Sequence, residues 1–161
     1  MASGGLRDTR TVGAGFLNAT SLKKHMWAFR HYLSTIQTYQ LFGIAETRLG
    51  PSVDDSFGEI EGYSIIRQDR NTIGGGVLLY IQNSLKAKVL FKSATTQAGK
   101  PREPKYIFCI VWEGDSPPIF FAVIYIPPDV NFRSDSQFIN RLRSFCSEYR
   151  HKIIMGDWNW T

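Results

Sequence analysis

With 161 residues, 43% of them hydrophobic and 14% aromatic, the chain has room for one domain with a substantial core and is too apolar for a disordered protein. No apolar run approaches the ~20 residues that cross a bilayer, so no membrane-spanning helix is expected. The formal net charge of +5 suits an anionic partner such as nucleic acid, although a merely soluble basic protein has the same balance.

The first half of the chain predicts strands around one helix. Residues 1–10 are small and polar, and we expect them to form a disordered tail. Weakly apolar residues 11–17 predict a first strand, and further strands are predicted at 41–45, 63–66 and 76–81. Apolar side chains at 4-3-4-3 spacing predict a helix between the first two strands. They are Leu22, Met26, Phe29, Leu33 and Ile36.

Three consecutive glycines, at positions 74–76, precede the strand predicted at 76–81. A phosphate-binding loop would continue with Gly-Lys-Ser/Thr into a helix, whereas here a strand follows. We therefore interpret the glycines as part of a bulged hairpin that joins two antiparallel strands.

The second half predicts more sheet and a second helix. Strands are expected at 86–91, 106–112 and 119–126, the last two apolar on both faces as in central strands. Ser134 and Gln137 resemble a capping box before a helix with one apolar stripe. That stripe consists of Phe138, Leu142, Phe145 and Tyr149. A final strand begins at Ile153, so the order predicts one α/β domain of packed sheets with helices outside.

The last strand leads into Gly156, Asp157 and Asn159. Gly156 would let the backbone turn where the strand stops, and Asp157 and Asn159 would leave the same face of an extended chain. These are also ordinary turn formers, so by themselves they fit a turn as well as a site.

Polar residues also close other predicted strands, namely Asn18, Glu46 and Tyr125. Such residues converge at one sheet rim in many α/β proteins. Glu46 and Asp157 offer the carboxylates that Mg²⁺ binds together with a substrate phosphate. The amides of Asn18 and Asn159 and the Tyr125 hydroxyl can donate hydrogen bonds to phosphate oxygens.

Six short motifs follow one another from about residue 12 to the C-terminus. They are Leu17-Asn18-Ala19-Thr20-Ser21-Leu22, Ile44-Ala45-Glu46-Thr47-Arg48-Leu49, Gly62-Tyr63, Arg67-x-Asp69-Arg70 with Gly74-Gly75-Gly76-Val77, Tyr125-x-Pro127-Pro128 and Gly156-Asp157-Trp158-Asn159. In this order they resemble the endonuclease/exonuclease/phosphatase superfamily. The glycine-rich hairpin and the Tyr-x-Pro-Pro resemble in particular the endonuclease domain of LINE-type (non-LTR) retrotransposons.

The resemblance implies a four-layered α/β sandwich, in which two mostly antiparallel sheets are flanked by helices, and Mg²⁺-dependent (alternatively Mn²⁺-dependent) nicking of DNA. It makes Glu46 the metal ligand and Asn18 its neighbour. Tyr125 would contact the scissile phosphate, Asp157 would orient or deprotonate the attacking water, and Asn159 would position Asp157 and the phosphate. Arg70 is expected near the DNA backbone.

The resemblance further implies an intracellular protein that is nuclear when it acts, and a reverse transcriptase domain downstream in the same polyprotein. It implies nothing about the oligomeric state or the DNA sequence that is cleaved.

One family element has no counterpart in these residues. The family's domain ends in a Ser-Asp-His whose histidine acts at the phosphate, and the 161 residues contain no such tripeptide. We therefore expect residues 11–161 to be the N-terminal two-thirds of the domain, to fold poorly alone and to be inactive alone. The alternatives are a catalytically dead DNA-binding remnant and an abasic-site nuclease or phosphoesterase of the same superfamily.

Overall fold

Two four-stranded sheets form the centre of the computed structural model, which describes residues 11–36, 38–70, 74–95, 103–128, 130 and 136–159. The first sheet has the order β1-β2-β4-β3 and the second the order β5-β6-β7-β8. Their bounds are β1 Ala14–Asn18, β2 Leu41–Ala45, β3 Tyr63–Gln68, β4 Val77–Gln82, β5 Lys86–Lys92, β6 Lys105–Trp112, β7 Ile119–Ile126 and β8 His151–Trp158. The helices are α1 Leu22–Ile36, α2 Ser136–Ser147 and a 3-10 turn at Asp55–Gly58.

Three apolar clusters separate four layers, which confirms the predicted α/β sandwich. Leu22, Met26, Phe29 and Leu33 pack α1 on the outer face of the first sheet. Side chains of β2, β4, β6 and β7 fill the space between the sheets. Phe138, with its neighbours in α2, packs on the outer face of the second sheet. Strands β4 and β7 are buried along nearly their whole length because they have apolar neighbours on both faces.

The pairing explains why several strands end at the same rim. β1 runs parallel to β2 and β7 parallel to β8, whereas β2–β4, β3–β4, β5–β6 and β6–β7 are antiparallel. The parallel connections are made by α1 and α2, as crossover helices require. The carboxyl ends of β1, β2, β7 and β8 can therefore meet at one edge of the sandwich.

Two predictions from the sequence are wrong in detail. Ile36 was expected in the apolar stripe that α1 buries, but as the last residue of the helix it is 40% exposed. Gly156 does not turn the chain, since β8 continues through it to Trp158 and pairs it with Ile124. The predicted antiparallel pairing of β3 with β4 is confirmed. Residues 71–73 of the predicted bulged connection lie outside the described residues. The predicted tail at 1–10 and the capping residue Ser134 lie outside the described residues.

No helix in the described ranges is long and apolar enough to cross a membrane.

Strands β1 and β8 end their sheets on the same side of the sandwich, and three large apolar side chains are partly exposed there. Leu17 is 41% exposed, Ile154 39% and Trp158 37%. The opposite edge, β5, carries Lys86, Lys88 and Lys92, and such lysines prevent edge-to-edge association. The β1 sequence AGFLN has no charge at all.

We therefore expect Ile154→Lys to reduce self-association of the 161-residue chain, because a charge on an exposed edge strand opposes pairing with another copy. Static light scattering over a concentration series measures the effect. The matched control is Val89→Lys, since Val89 is 40% exposed on the already basic β5. Equal scattering by both variants would contradict the importance of the β1–β8 side.

Candidate active site

The residues predicted from strand ends meet at one rim of the sandwich. Asn18 is the last residue of β1, and Glu46 directly follows β2. Tyr125 and Asp157 lie one residue before the ends of β7 and β8, where they are register partners. Asn18 and Glu46 belong to the first sheet, and Tyr125 and Asp157 belong to the second. The rim is therefore formed by both sheets.

Asn18 connects the two carboxylates. Its amide nitrogen Nδ2 donates to Asp157 Oδ2 at 2.6 Å and lies 3.3 Å from Glu46 Oε1. Its oxygen Oδ1 accepts from the backbone N–H of Thr20 at 2.9 Å, which fixes the orientation of the amide. The two carboxylate oxygens are thus no more than 5.9 Å apart, the sum of 3.3 and 2.6 Å. One amide therefore holds carboxylates that come from different sheets.

The backbone around the rim adopts conformations that cost energy. Thr20, Glu46 and Arg48 have φ of 52°, 51° and 50°, which side-chain-bearing residues seldom adopt. Thr47 between the latter two is fully buried, and the N–H groups of Thr47 and Arg48 donate to the carbonyls of Gly76 and Gly75. Such strain persists only where surrounding structure enforces it, and it is concentrated at functional sites.

Tyr125 is 5% exposed beside the carboxylates. Burial raises the pKa of its hydroxyl, the charges of Glu46 and Asp157 raise it further, and the charge of Arg70 opposes them. A tyrosine hydroxyl is protonated at neutral pH even without such a shift, so it is a hydrogen-bond donor here.

Two arginines flank these residues with unused donors. Arg48 Nη2 lies 3.3 Å from Glu46 Oε2, and Arg70 packs against Gly75, where an added Cβ would come within 2.7 Å of Arg70 Cδ. The Nε atoms of Arg48 and Arg70 are both buried and have no hydrogen-bond partner among the described residues. Unpaired buried donors are costly, so these two positions suit an anion.

Gly75 and Gly76 allow this close packing. Their φ values are +75° and +89°, and a Cβ on Gly75 would also lie 3.3 Å from the Tyr125 ring. On Gly76 it would lie 2.5 Å from Thr47 Oγ1. The glycine-rich hairpin therefore serves to bring Arg70 and Thr47 against the rim.

Asn159 lies apart from the Asn18 contacts. Its Nδ2 donates to the backbone carbonyl of Ile126 at 3.0 Å, which ties the end of β8 to the end of β7. The structure thus brings Asn18, Glu46, Tyr125 and Asp157 together, and it places Asn159 at the adjoining strand ends.

Sequence reasoning missed two residues near the rim, Arg48 and Lys105. Arg48 stands two positions after Glu46, and this spacing could have indicated an ion pair. Lys105 is fully buried at the start of β6, opposite Tyr125, and its Nζ donates to Ala94 O at 2.5 Å. The position of Lys105 directly before an apolar run could have indicated a buried lysine.

Lys105 is expected to destabilise the folded chain. Burial lowers its pKa below the ordinary 10.5, Glu103 opposes this shift and the charge of Arg70 adds to it. We expect Lys105→Met to raise the free energy of unfolding at pH 7 by about 1–3 kcal/mol, the usual cost of an incompletely bonded buried polar group.

The pH dependence provides a check, measured by urea unfolding between pH 7 and pH 10. Between the folded and unfolded pKa values of Lys105 the unfolded chain binds more protons, so the stability of the unchanged chain rises with pH. The advantage of Lys105→Met should therefore shrink as pH approaches 10.5. Lys86→Met, at an exposed position, should show no such trend. A less stable Lys105→Met at pH 7 would contradict the prediction.

The rim also suits a hard divalent cation. The described residues contain no group of three or more His, Cys, Asp or Glu that could hold a metal. Mg²⁺, however, is commonly bound by one or two carboxylates together with substrate phosphate and water. Glu46 and Asp157 are two oxygen-ligand residues in contact with the same amide, so the donor set fits that manner of binding.

Fold and rim together define a four-layered α/β sandwich with two carboxylates at one end. No protein-family model and no curated protein matches the chain. Among solved structures, the human Nocturnin catalytic domain with bound sulfate anion is similar, with 14% identity and a TM-score of 0.64 over 90% of this chain and 62% of that one.

Two further structures share the fold. D. rerio TDP2 complexed with single strand DNA product matches with 12% identity and a TM-score of 0.59, over 93% of this chain and 61% of that one. The endonuclease domain of TRAS1, a telomere-specific non-LTR retrotransposon, matches with 13% identity and a TM-score of 0.60, over 91% and 58%. All three belong to the endonuclease/exonuclease/phosphatase superfamily. This chain spans about 60% of their length.

Proposed function

We propose that this chain contributes the Glu46–Asp157 rim of a metal-dependent DNA endonuclease from a non-LTR retroelement. The observation that carries the proposal is the contact of Asn18 with both carboxylates, across 28 and 139 residues of sequence. That DNA is the substrate is supported by the net charge of +5 and by the fold shared with TDP2 and the TRAS1 endonuclease.

The proposed roles are those that the resemblance to the superfamily implies, and the contacts at the rim are compatible with them. Glu46 would hold Mg²⁺, or Mn²⁺ in its place, and Asp157 would orient or deprotonate the attacking water. Asn18 keeps the two carboxylates in fixed relation. The Tyr125 hydroxyl, which is protonated at neutral pH, would donate to the scissile phosphate. A bound metal would supply charge that stabilises the phosphate as it is attacked.

Arg48, Arg70 and Asn159 would have supporting roles at the same rim. The guanidinium groups of Arg48 and Arg70 would contact phosphate oxygens of the DNA backbone. Asn159, held by Ile126 O, would keep the end of β8 and thus Asp157 in place, in addition to any contact with the phosphate.

The same proposal includes the expectation that the 161 residues alone do not nick DNA, since they contain no Ser-Asp-His. Incubating the 161-residue chain with supercoiled plasmid and Mg²⁺ tests this expectation, and nicking would contradict it. Sequencing the transcript beyond the codon for Thr161 then shows whether the reading frame continues to that tripeptide. A downstream reverse transcriptase and action in the nucleus belong to the same proposal, and the longer transcript and the location of the tagged protein test them.

The function itself is tested by nicking of supercoiled plasmid with Mg²⁺, using the longest chain that the transcript encodes. Nicking that requires both Mg²⁺ and Glu46 supports the endonuclease. Salt-dependent DNA binding without nicking, unchanged by Glu46→Ala, would instead support a DNA-binding remnant. Preference for abasic DNA or for a phosphomonoester would indicate another activity of the same superfamily.

A further inference from the structure

The outward face of α1 carries a combination of side chains that the packing of the helix does not require. Lys23, Lys24, Trp27 and His31 point away from the buried stripe, and we call this group the Trp27 face. The indole of Trp27 is 80% exposed, more than any other large apolar side chain described. The His31 ring lies parallel to it, with an interplanar angle of 9° and centroids 6.2 Å apart.

The charge of this face is uniformly positive. The sequence of α1 contains no acidic residue, and Lys23 and Lys24 occupy its first turn. The positive end of the helix dipole is the least favourable place for cations, so these lysines oppose helix stability where they stand. A bound anion would relieve that repulsion.

The arrangement favours one kind of partner. A helix that binds a membrane or packs on a protein needs a broad apolar surface, whereas Trp27 is the single large apolar side chain among cations here. An exposed aromatic ring beside positive charge is the arrangement that binds single-stranded nucleic acid, through base stacking and phosphate contacts. Trp27 is about 7.5 Å along the helix axis from Leu22, near the Asn18 end of the sandwich.

We propose that the Trp27 face binds single-stranded nucleic acid, with Trp27 stacking on an unpaired base and Lys23 and Lys24 contacting the flanking phosphates. This surface is separate from the carboxylate rim and goes beyond the proposed cleavage reaction, because it needs neither metal nor Glu46.

The experiment is a fluorescence-anisotropy titration of a labelled, mixed-sequence 15-nucleotide single-stranded DNA with the full 161-residue chain in EDTA. Trp27→Ala should weaken binding roughly 5- to 150-fold, the range for loss of one stacked base, whereas Trp27→Phe should retain most of the affinity. Tyr32→Ala is the matched control, because Tyr32 is a 41% exposed aromatic residue of α1 outside the Trp27 face. Its affinity should equal that of the unchanged chain.

Two further measurements distinguish the phosphate contacts of the lysines from base stacking by Trp27. Replacing Lys23 and Lys24 by glutamine should reduce the slope of log affinity against log salt by about 1.4, at 0.7 per phosphate contact. Tryptophan fluorescence should be quenched by the oligonucleotide in the unchanged chain and less so in Trp27→Phe. EDTA also prevents cleavage, so failure of this inference is distinct from failure of the proposed nuclease.

Unchanged DNA affinity in Trp27→Ala, or an equal loss in Tyr32→Ala, would overturn the inference. So would a Trp27→Ala variant that loses self-association or vesicle binding while its DNA affinity is unaltered, since the face would then contact protein or lipid.

Discussion

Glu46→Ala should lower Mg²⁺-dependent nicking by at least roughly 10²- to 10³-fold in the longest chain that the transcript encodes, and it should abolish saturable Mn²⁺ binding by the 161-residue chain. The magnitude is that of removing one group that stabilises charge in the transition state. The physical reason is that Glu46 provides one of the two carboxylates held by Asn18, and a divalent cation at the rim would lose that ligand.

Metal binding, measured by isothermal titration calorimetry, makes this prediction independent of turnover. The matched control is Glu61→Ala, which removes the same charge from an exposed position outside the rim. The control should bind metal and nick as the unchanged chain does. Full Mn²⁺ affinity in Glu46→Ala would show that the cation is held elsewhere.

Gly156→Ala should both destabilise the fold and impair the site. An added Cβ would lie 2.5 Å from the Ile124 carbonyl oxygen and 3.1 Å from Ile124 Cβ, and backbone cannot move away as a flexible side chain can. β8 would have to shift relative to β7, at a cost of about 1–3 kcal/mol. Asp157 is the next residue and the register partner of Tyr125, so the carboxylate moves with the strand.

A displacement of about 1 Å in a catalytic group can cost on the order of 10²-fold in rate, and we expect a loss of this size in nicking. Urea unfolding and the plasmid assay measure the two effects. Gly74→Ala is the matched control, because among the described residues its Cβ would meet only Arg70 Nη1, at an ordinary 3.8 Å. Equal stability of Gly156→Ala and Gly74→Ala would contradict the close packing of β8 on β7.

Most of the fold was predictable because its signals are local. The apolar stripe of α1 has the periodicity of a helix. The uninterrupted apolar runs of β6 and β7 are typical of central strands that are buried on both faces. The error at Gly156 has an equally clear cause. Glycine is favoured both in turns and where two backbones approach closely, and only the position of Ile124 distinguishes the two.

The residues of the site were less predictable than the fold. Polar residues at strand ends are also ordinary turn formers, and it was the resemblance to the superfamily that selected Asn18, Glu46, Tyr125 and Asp157. The structure brings these four residues together at one rim. Their catalytic roles remain predictions. Arg48 and Lys105 were missed because their signals, an arginine two positions after Glu46 and a lysine at the start of an apolar strand, are common in sequences and do not by themselves indicate a site.

By itself the sequence determined the layers of this protein, since the apolar stripes of the helices and the continuous apolar runs of the central strands specify which surfaces are buried. It also indicated that polar residues, among them Asn18, Glu46 and Asp157, lie at or near the ends of strands. Only the tertiary structure decided that Asn18 holds Asp157 across 139 residues, that Lys105 is buried opposite Tyr125, and that Gly156 continues a strand. The reason is that such contacts depend on how two sheets are stacked and registered, and this information belongs to no single segment of the chain.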